Sequence, residues 1–387
     1  MLVKTLRIGA PRVTQEAGGS RLDVEVCGEP LFVRANVPLA ESSEALVAAF
    51  YLVAQHYNAV LRIEGELDPI FLQNVPAVAA FAERHLRLPG CPVQARSKSD
   101  RTKQAGASAA FLTEGLESLY TLARRTAELD ALIHVAGLDK PGRDSAAAER
   151  HLQNLRRLTE ASGQFLIEME TNLRDLRLFR SVDWEITRSA ALAAMAQCLA
   201  GQVGHILVPL SDVGTFGGSL PWGAHPLLIE GWSSSAVEIV CDTSPANWID
   251  KIAALGNYPP ALDYLQVCGR GEEPGSTFGE REICVRAVAA LHIVGGLSAG
   301  RTLPQDTLFE SIRALPPLTP QQRRAWQALL DHPRSGDLAA VIKNKLEETP
   351  LAPALTSASM VSAASAISAS RLTWQIRNFR LVGQMLR

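Results

Sequence analysis

A chain of 387 residues, 47% hydrophobic and 20% charged, has the makeup of a packed globular protein. A formal net charge of −2 lacks the basic surplus by which general nucleic-acid binders hold phosphate, so no nucleic-acid partner is expected. The six cysteines are scattered with no CxxC pair, the opening residues lack the apolar core of a signal peptide, and no run approaches the roughly 20 apolar residues of a membrane span. Together these point to a cytoplasmic protein with reduced thiols.

In chain order, residues 1–100 read as a small α+β domain. RLDVEV and LFVRANV alternate as half-buried strands, with Gly28, Glu29 and Pro30 as the turn between them. Ser42 to Tyr57 reads as a helix and VLRIEG as a further strand. PIFLQNVPAVAAFAERHL reads as a second helix that Pro76 kinks or interrupts.

From residue 105 the pattern changes. ASAAFL, ALIHVAG, QFLIEME, HILVPL, AVEIVCD and LDYLQVC are strand candidates, and helical stretches separate most of them. Such alternation predicts a parallel α/β sheet with helices on both faces over 105–300, with ligands at the carboxyl ends of the strands. Helices close the region over 301–348. Residues 349–387 hold a Ser/Ala tract and then an amphipathic basic helix, RLTWQIRNFRLVGQMLR, whose apolar face suits docking onto this chain, a partner protein or a second copy. Contact with an anionic membrane surface is the lesser alternative.

FLTEGLESLYTLARR follows the first strand of this region as a turn and then a helix, in the manner of a phosphate-binding loop. Together with FLIEMETNLRDL and LPWGAHPLLIEGWSSSAVEIVCD, which follow in order, it resembles the adenine nucleotide alpha-hydrolase-like proteins, or PP-loop ATP pyrophosphatases. The resemblance extends over roughly residues 30–300 and is nearest to a bacterial group with an additional N-terminal domain. It implies a Rossmann-like (HUP-type) sheet and ATP with Mg²⁺ as ligands. Family members cleave ATP to AMP and pyrophosphate and use the adenylate to activate an oxygen for attack by nitrogen or sulfur.

Carried over position by position, the resemblance marks nucleotide-binding candidates: Thr113, Gly115, Glu117 and Ser118 in the loop and Asp139 after the second strand. It adds Asn172 and Arg174 at the exit of the third strand, and Trp222 and Ser233 around the WGAHP segment. Ser118, His225 and Arg188 are the catalytic candidates. Each also has a structural reading. His225 can fix the Gly223–Pro226 bend, Ser233 can cap an element, Asp139 can serve a loop, and His134 is read as packed inside its strand.

The departures from the family pattern bear on function. The family loop reads Ser-Gly-Gly-x-Asp-Ser, and this chain has Thr113, Glu114, Gly115, Leu116, Glu117 and Ser118. Glu114 replaces a glycine, and a like charge about 4 Å from a phosphate at an effective dielectric near 20 costs roughly 4 kcal/mol. Of the group's Cys-Gly-x-Cys-x-x-Cys knuckle only Cys284 remains in Phe278–Cys284, so no zinc is expected and Cys284 reads as a buried helix residue. Arg188 stands where the group tends to have histidine.

Three functions follow as expectations. The first is a divergent relative with lost or altered ATP hydrolysis, acting as a partner or scaffold protein. The second is an active, altered AMP-forming ligase-like enzyme that adenylates a small metabolite before amide or C–N bond formation or thiolation. The third is a binding module whose crevice takes an unrelated small ligand.

Overall fold

Period-two alternation builds the first part of the chain. Strands β1 (Lys4–Ile8), β2 (Arg12–Glu16), β3 (Gly19–Val26) and β4 (Glu29–Ala35) are followed by helix α1 (Ser43–His56) and strand β5 (Ala59–Leu67). Helix α2 (Pro69–Phe81) and strand β6 (Val93–Ser97) complete this part. The structure, a computed structural model, describes residues 4–99, 105–138, 146–210, 225–265, 282–295 and 307–348. The C-terminal segment 349–387, the 211–224 stretch with Trp222, Asp139, Cys268 and 278–281 lie outside the described residues.

One detail of this part differs from expectation. Val26 pairs with Glu29, so the hairpin turn is Cys27-Gly28, with φ of 49° and 83°, and Glu29 and Pro30 belong to β4. Positive φ at both central residues matches the right-handed strand twist, as the primed two-residue turns do. Pro76 lies inside α2 without ending it, and the helix runs on into a π-turn, Ala82–Leu86.

The second part alternates strand and helix. It runs β7 (Ser108–Phe111), α3 (Leu116–Arg125), β8 (Ala131–Ala136), α4 (Ala146–Ser162), β9 (Phe165–Thr171), α5 (Arg177–Arg180) and α6 (Trp184–Cys198). It continues with β10 (His205–Pro209), α7 (Pro226–Glu230), β11 (Glu238–Asp242), α8 (Trp248–Gly256) and α9 (Pro259–Leu262). Helices α10 (Glu282–Val294), α11 (Leu308–Ala314), α12 (Pro320–Leu330) and α13 (Leu338–Glu347) follow. The expected strand LDYLQVC begins instead in α9 and a turn. Pro259 and Pro260 open a helix there, and Leu262 and Leu265, three apart on one face, are buried at 1% and 0% exposure.

Among the described residues all eleven strands belong to one mixed, largely parallel sheet in the order β11-β10-β7-β8-β9-β4-β3-β1-β5-β6, with β2 added beside β3. The strands of 4–97 and those of 108–242 therefore share a sheet, and the junction is the antiparallel pair β4–β9. Strands β7 to β11 run parallel to one another, whereas β1, β4, β5 and β6 run the opposite way, so the two runs present their carboxyl ends at opposite edges.

The cores follow the same division. Ala109, Phe111, Ile133, Val135, Ile206 and Val208 face one apolar core, together with the buried residues of β1, β3, β4, β5, α1, α2 and α6. Ala110, Leu132, Leu166 and Leu207 face a second core formed with residues of α3, α4, α8 and α10 to α13. No helix of the described residues is long and apolar enough to cross a membrane.

Candidate functional site

Numbered from β7, the parallel run has the spatial order 3-2-1-4-5. The chain leaves β7 on one side to reach β8 and β9, and returns on the other side as β10 and β11. Between β7 and β10 the direction of winding reverses. In open α/β sheets the crevice beyond the carboxyl ends at such a point is where ligands bind. The segment Leu112–Gly115 leaves β7 at that position and enters α3.

This loop satisfies its own polar groups. The Ser118 hydroxyl accepts from the Thr113 N–H at 3.0 Å and donates to the Thr113 carbonyl at 2.7 Å. The Thr113 hydroxyl accepts from the Gly115 N–H at 3.1 Å and lies 3.1 Å from Ser118 Oγ. Gly115 is the N-cap of α3, and no side chain caps that helix. Two backbone donors that would turn toward an anion are thus already used by the loop's hydroxyls.

The two glutamates point away from the loop. Glu114 is 2% exposed, and its carboxylate lies 2.5 Å from His151 Nδ1 and accepts from Asn154 Nδ2 at 2.7 Å. Both partners are on α4, three residues apart and so on one helix face. The His151 ring meets His134 of β8 edge-on, with centroids 4.9 Å apart. Glu117 pairs with Lys251 Nζ of α8 at 2.5 Å, and the Lys251 side chain is 3% exposed. The Glu114 carboxylate is therefore turned onto α4 and away from the loop.

Beyond α3, Asp242 ends β11 almost fully buried. It accepts from the Thr121 hydroxyl at 2.6 Å and from Arg124, while Arg125 Nε lies 3.5 Å away. This network ties the body of α3 to the end of the sheet. Cys241 next to it is kept protonated by burial and by the Glu230 carboxylate, and burial pushes the Cys198 thiol up to about 12 and the Cys91 thiol up to about 11. These thiols are not thiolate nucleophiles at neutral pH. Cys27, Cys91, Cys198 and Cys241 are free, but the buried Cys284 of α10 is disulfide-bonded, which departs from the expectation of reduced thiols.

Of the candidates read from the sequence, Thr113, Gly115, Glu117 and Ser118 come together in this loop. The Arg174 guanidinium donates to the Leu138 carbonyl just past β8, and lies over the Trp184 ring at 4.3 Å. Asn172 follows β9, but its amide is engaged by β4: Oδ1 accepts from Phe32 N–H at 2.8 Å and Nδ2 donates to the Pro30 carbonyl at 2.9 Å. Arg188 is on α6, 3.9 Å from Glu185.

His225 is the N-cap of α7, where Nδ1 accepts from the Leu227 N–H at 3.2 Å, and its ring packs on Phe81 at 4.5 Å. Burial first, and then nearby His85, lower its pKa from the usual imidazole value. The Ser233 hydroxyl accepts from the Ile239 N–H at 3.0 Å, so Ser233 stands at the amino end of β11, the edge opposite the loop. Asp139 and Trp222 lie outside the described residues.

His151, Asn154 and Lys251 were not read as site residues. The available signal was weak: Asn154 and His151 are polar at helical spacing beside buried Leu155 and Leu158, and Lys251 stands between Ile249 and Ile252 on a buried face. Nothing in their spacing names Glu114 or Glu117 as their partners. Among the described residues no group of three or more His, Cys, Asp or Glu side chains is placed to hold a metal ion. No protein-family model, curated protein or solved structure matches this chain.

Proposed function

We propose that this chain is a divergent PP-loop-like protein of Rossmann-like, HUP-type architecture, with lost or altered ATP hydrolysis, that acts as a partner or scaffold protein. One observation carries the reading. The loop at the winding reversal is closed on itself: its hydroxyls occupy the N–H groups of Thr113 and Gly115, and its two carboxylates are bound to α4 and α8. A loop that presents phosphate with a free cradle leaves those donors open. The strand order 3-2-1-4-5 supports the architectural part of the proposal.

A second reading, an altered AMP-forming enzyme, draws on the α3 N-terminus, which no side chain caps and which opens at the reversal point. Calorimetric titration with ATP and Mg²⁺ separates the two. The expected result is no heat of binding with the wild-type chain and measurable binding by a Glu114→Gly, Glu117→Asp double variant. Binding and pyrophosphate release by the wild type would reject the scaffold reading in favour of the enzyme. The C-terminal basic stretch 371–387 is the proposed partner contact, and its deletion should abolish self-association or partner capture while leaving the fold intact.

A further inference from the structure

Glu114 and Glu117 leave the same loop for different helices, and their situations are unequal. Glu117 keeps 27% of its side chain exposed, so water remains within its reach. Glu114 is 2% exposed and its two carboxylate oxygens are met by His151 and Asn154, one each. A buried carboxylate stripped of its partners is strongly disfavoured, because neither water nor a counter-charge replaces them. Its backbone is the loop itself: Glu114 lies between Thr113 and Gly115, whose N–H groups are the ones held by the loop hydroxyls. A carboxylate drawn toward water from this buried position pulls on that backbone.

We infer that Glu114 is a charge-driven latch, and that the state of the 113–118 loop is set from α4 through His151 and Asn154. While the carboxylate is paired the loop is pinned shut. Whatever draws His151 and Asn154 away, such as a partner engaging α4, releases the carboxylate to water and opens the loop. The latch rests on the reading of this loop as a closed one, but not on which ligand the loop once held.

Amide hydrogen exchange on the full-length chain at neutral pH tests it. In a His151→Ala, Asn154→Ala double variant, exchange over 113–118 should rise by about a hundredfold, with the sheet strands unchanged. Adding Glu114→Gln to that variant removes the charge that needs water while keeping the side-chain length. Exchange should then fall back to within about threefold of wild type. Loop exchange that does not respond to the double variant overturns the latch. So does a triple variant as open as the double, since lost packing and not charge would then be the cause, and so does a rise spread through the strands. ATP binding by the wild type would reject the scaffold reading and leave these exchange outcomes to decide the latch on their own.

Discussion

The two ends of the sheet bury their strands in different ways. From β7 to β11 each strand is covered on both faces, and β8 reads as nearly continuous apolar sequence, ALIHVA. From β4 to β5 the buried apolar residues all belong to one core, while Arg7, Arg34, Arg62 and Glu64 on the other face are exposed. Doubly covered parallel strands lose alternation because both faces are dry, whereas a singly covered sheet must keep it. The difference also places the candidate site. A doubly covered strand has to reach its helix through a loop at the edge, and Leu112–Gly115 is that loop.

The sharpest way to test whether the two ends stand or fall together is Trp232. It is fully buried, packed on Tyr51 of α1 at 5.7 Å and on Phe71 of α2 at 5.8 Å, and it leads into β11. Trp232→Ala should cost about 4 kcal/mol, read from denaturant unfolding. A single transition shifted as a whole is the expected outcome. Two transitions, with only one moved, would separate the ends into independent units.

The next effect belongs to the singly covered end. A Cβ added at Gly19 would run into the Ala35 carbonyl across the β3–β4 pair. Backbone cannot yield as a side chain tip does, so Gly19→Ala should destabilise by roughly 2–3 kcal/mol. An unchanged unfolding midpoint would mean that β3 and β4 pair less closely there.

The same contrast decides what could be read in advance. At the singly covered end, β3, β4, α1 and β5 were legible because alternation and the Ser42 cap are local signals. The three strands missed there, β1, β2 and β6, are short, and two of them are largely exposed, so their hydrophobic signal is faint. At the other end β7 to β11 were legible as apolar runs alternating with longer amphipathic stretches, whereas LDYLQVC was misread as a strand because Pro259 and Pro260 open a short helix there. That both sets join through β4 and β9 was not legible, because pairing between distant segments leaves no periodicity in either one. The turn at 113–118 between β7 and α3 was legible as a turn entering a helix. The direction of Glu114 was not, since it depends on two α4 side chains 37 and 40 positions away.

Asp68 sharpens the comparison through pH. It caps α2, accepting from Ile70 N–H at 2.9 Å and Phe71 N–H at 3.1 Å, and it also accepts from Ser235 near the start of β11. Burial alone would raise its pKa, but the bonds from Ser235, Phe71 and Ile70 outweigh it and the value is lowered. A carboxyl with a depressed folded pKa contributes stability above the ordinary carboxylate range and loses it as pH falls through the folded value. Asp68→Asn should therefore cost about 1 kcal/mol at pH 7 and nothing at pH values below both pKa values. A cost that does not change with pH would assign the effect to shape and not to charge.

The smallest expected effect lies in the hairpin turn, and its sign is opposite. Cys27 holds φ at 49° beside Gly28 at 83°, in a turn that favours Gly or Asn at the first position, Gly because it has no Cβ to crowd the left-handed region and Asn because its short polar side chain bonds locally. Cys27 also gives its backbone N–H to the Arg7 carbonyl at 3.0 Å, a bond that any residue but proline would keep. Cys27→Asn should therefore preserve the strand register and stabilise by about 0.5 kcal/mol, raising Tm on the order of 1 °C. A loss of stability would show that the thiol, which lies 3.5 Å from the same carbonyl, contributes more to joining β1 and β3 than the turn preference costs. That outcome would shift the organising contact of the singly covered end from the turn to the strand it returns to.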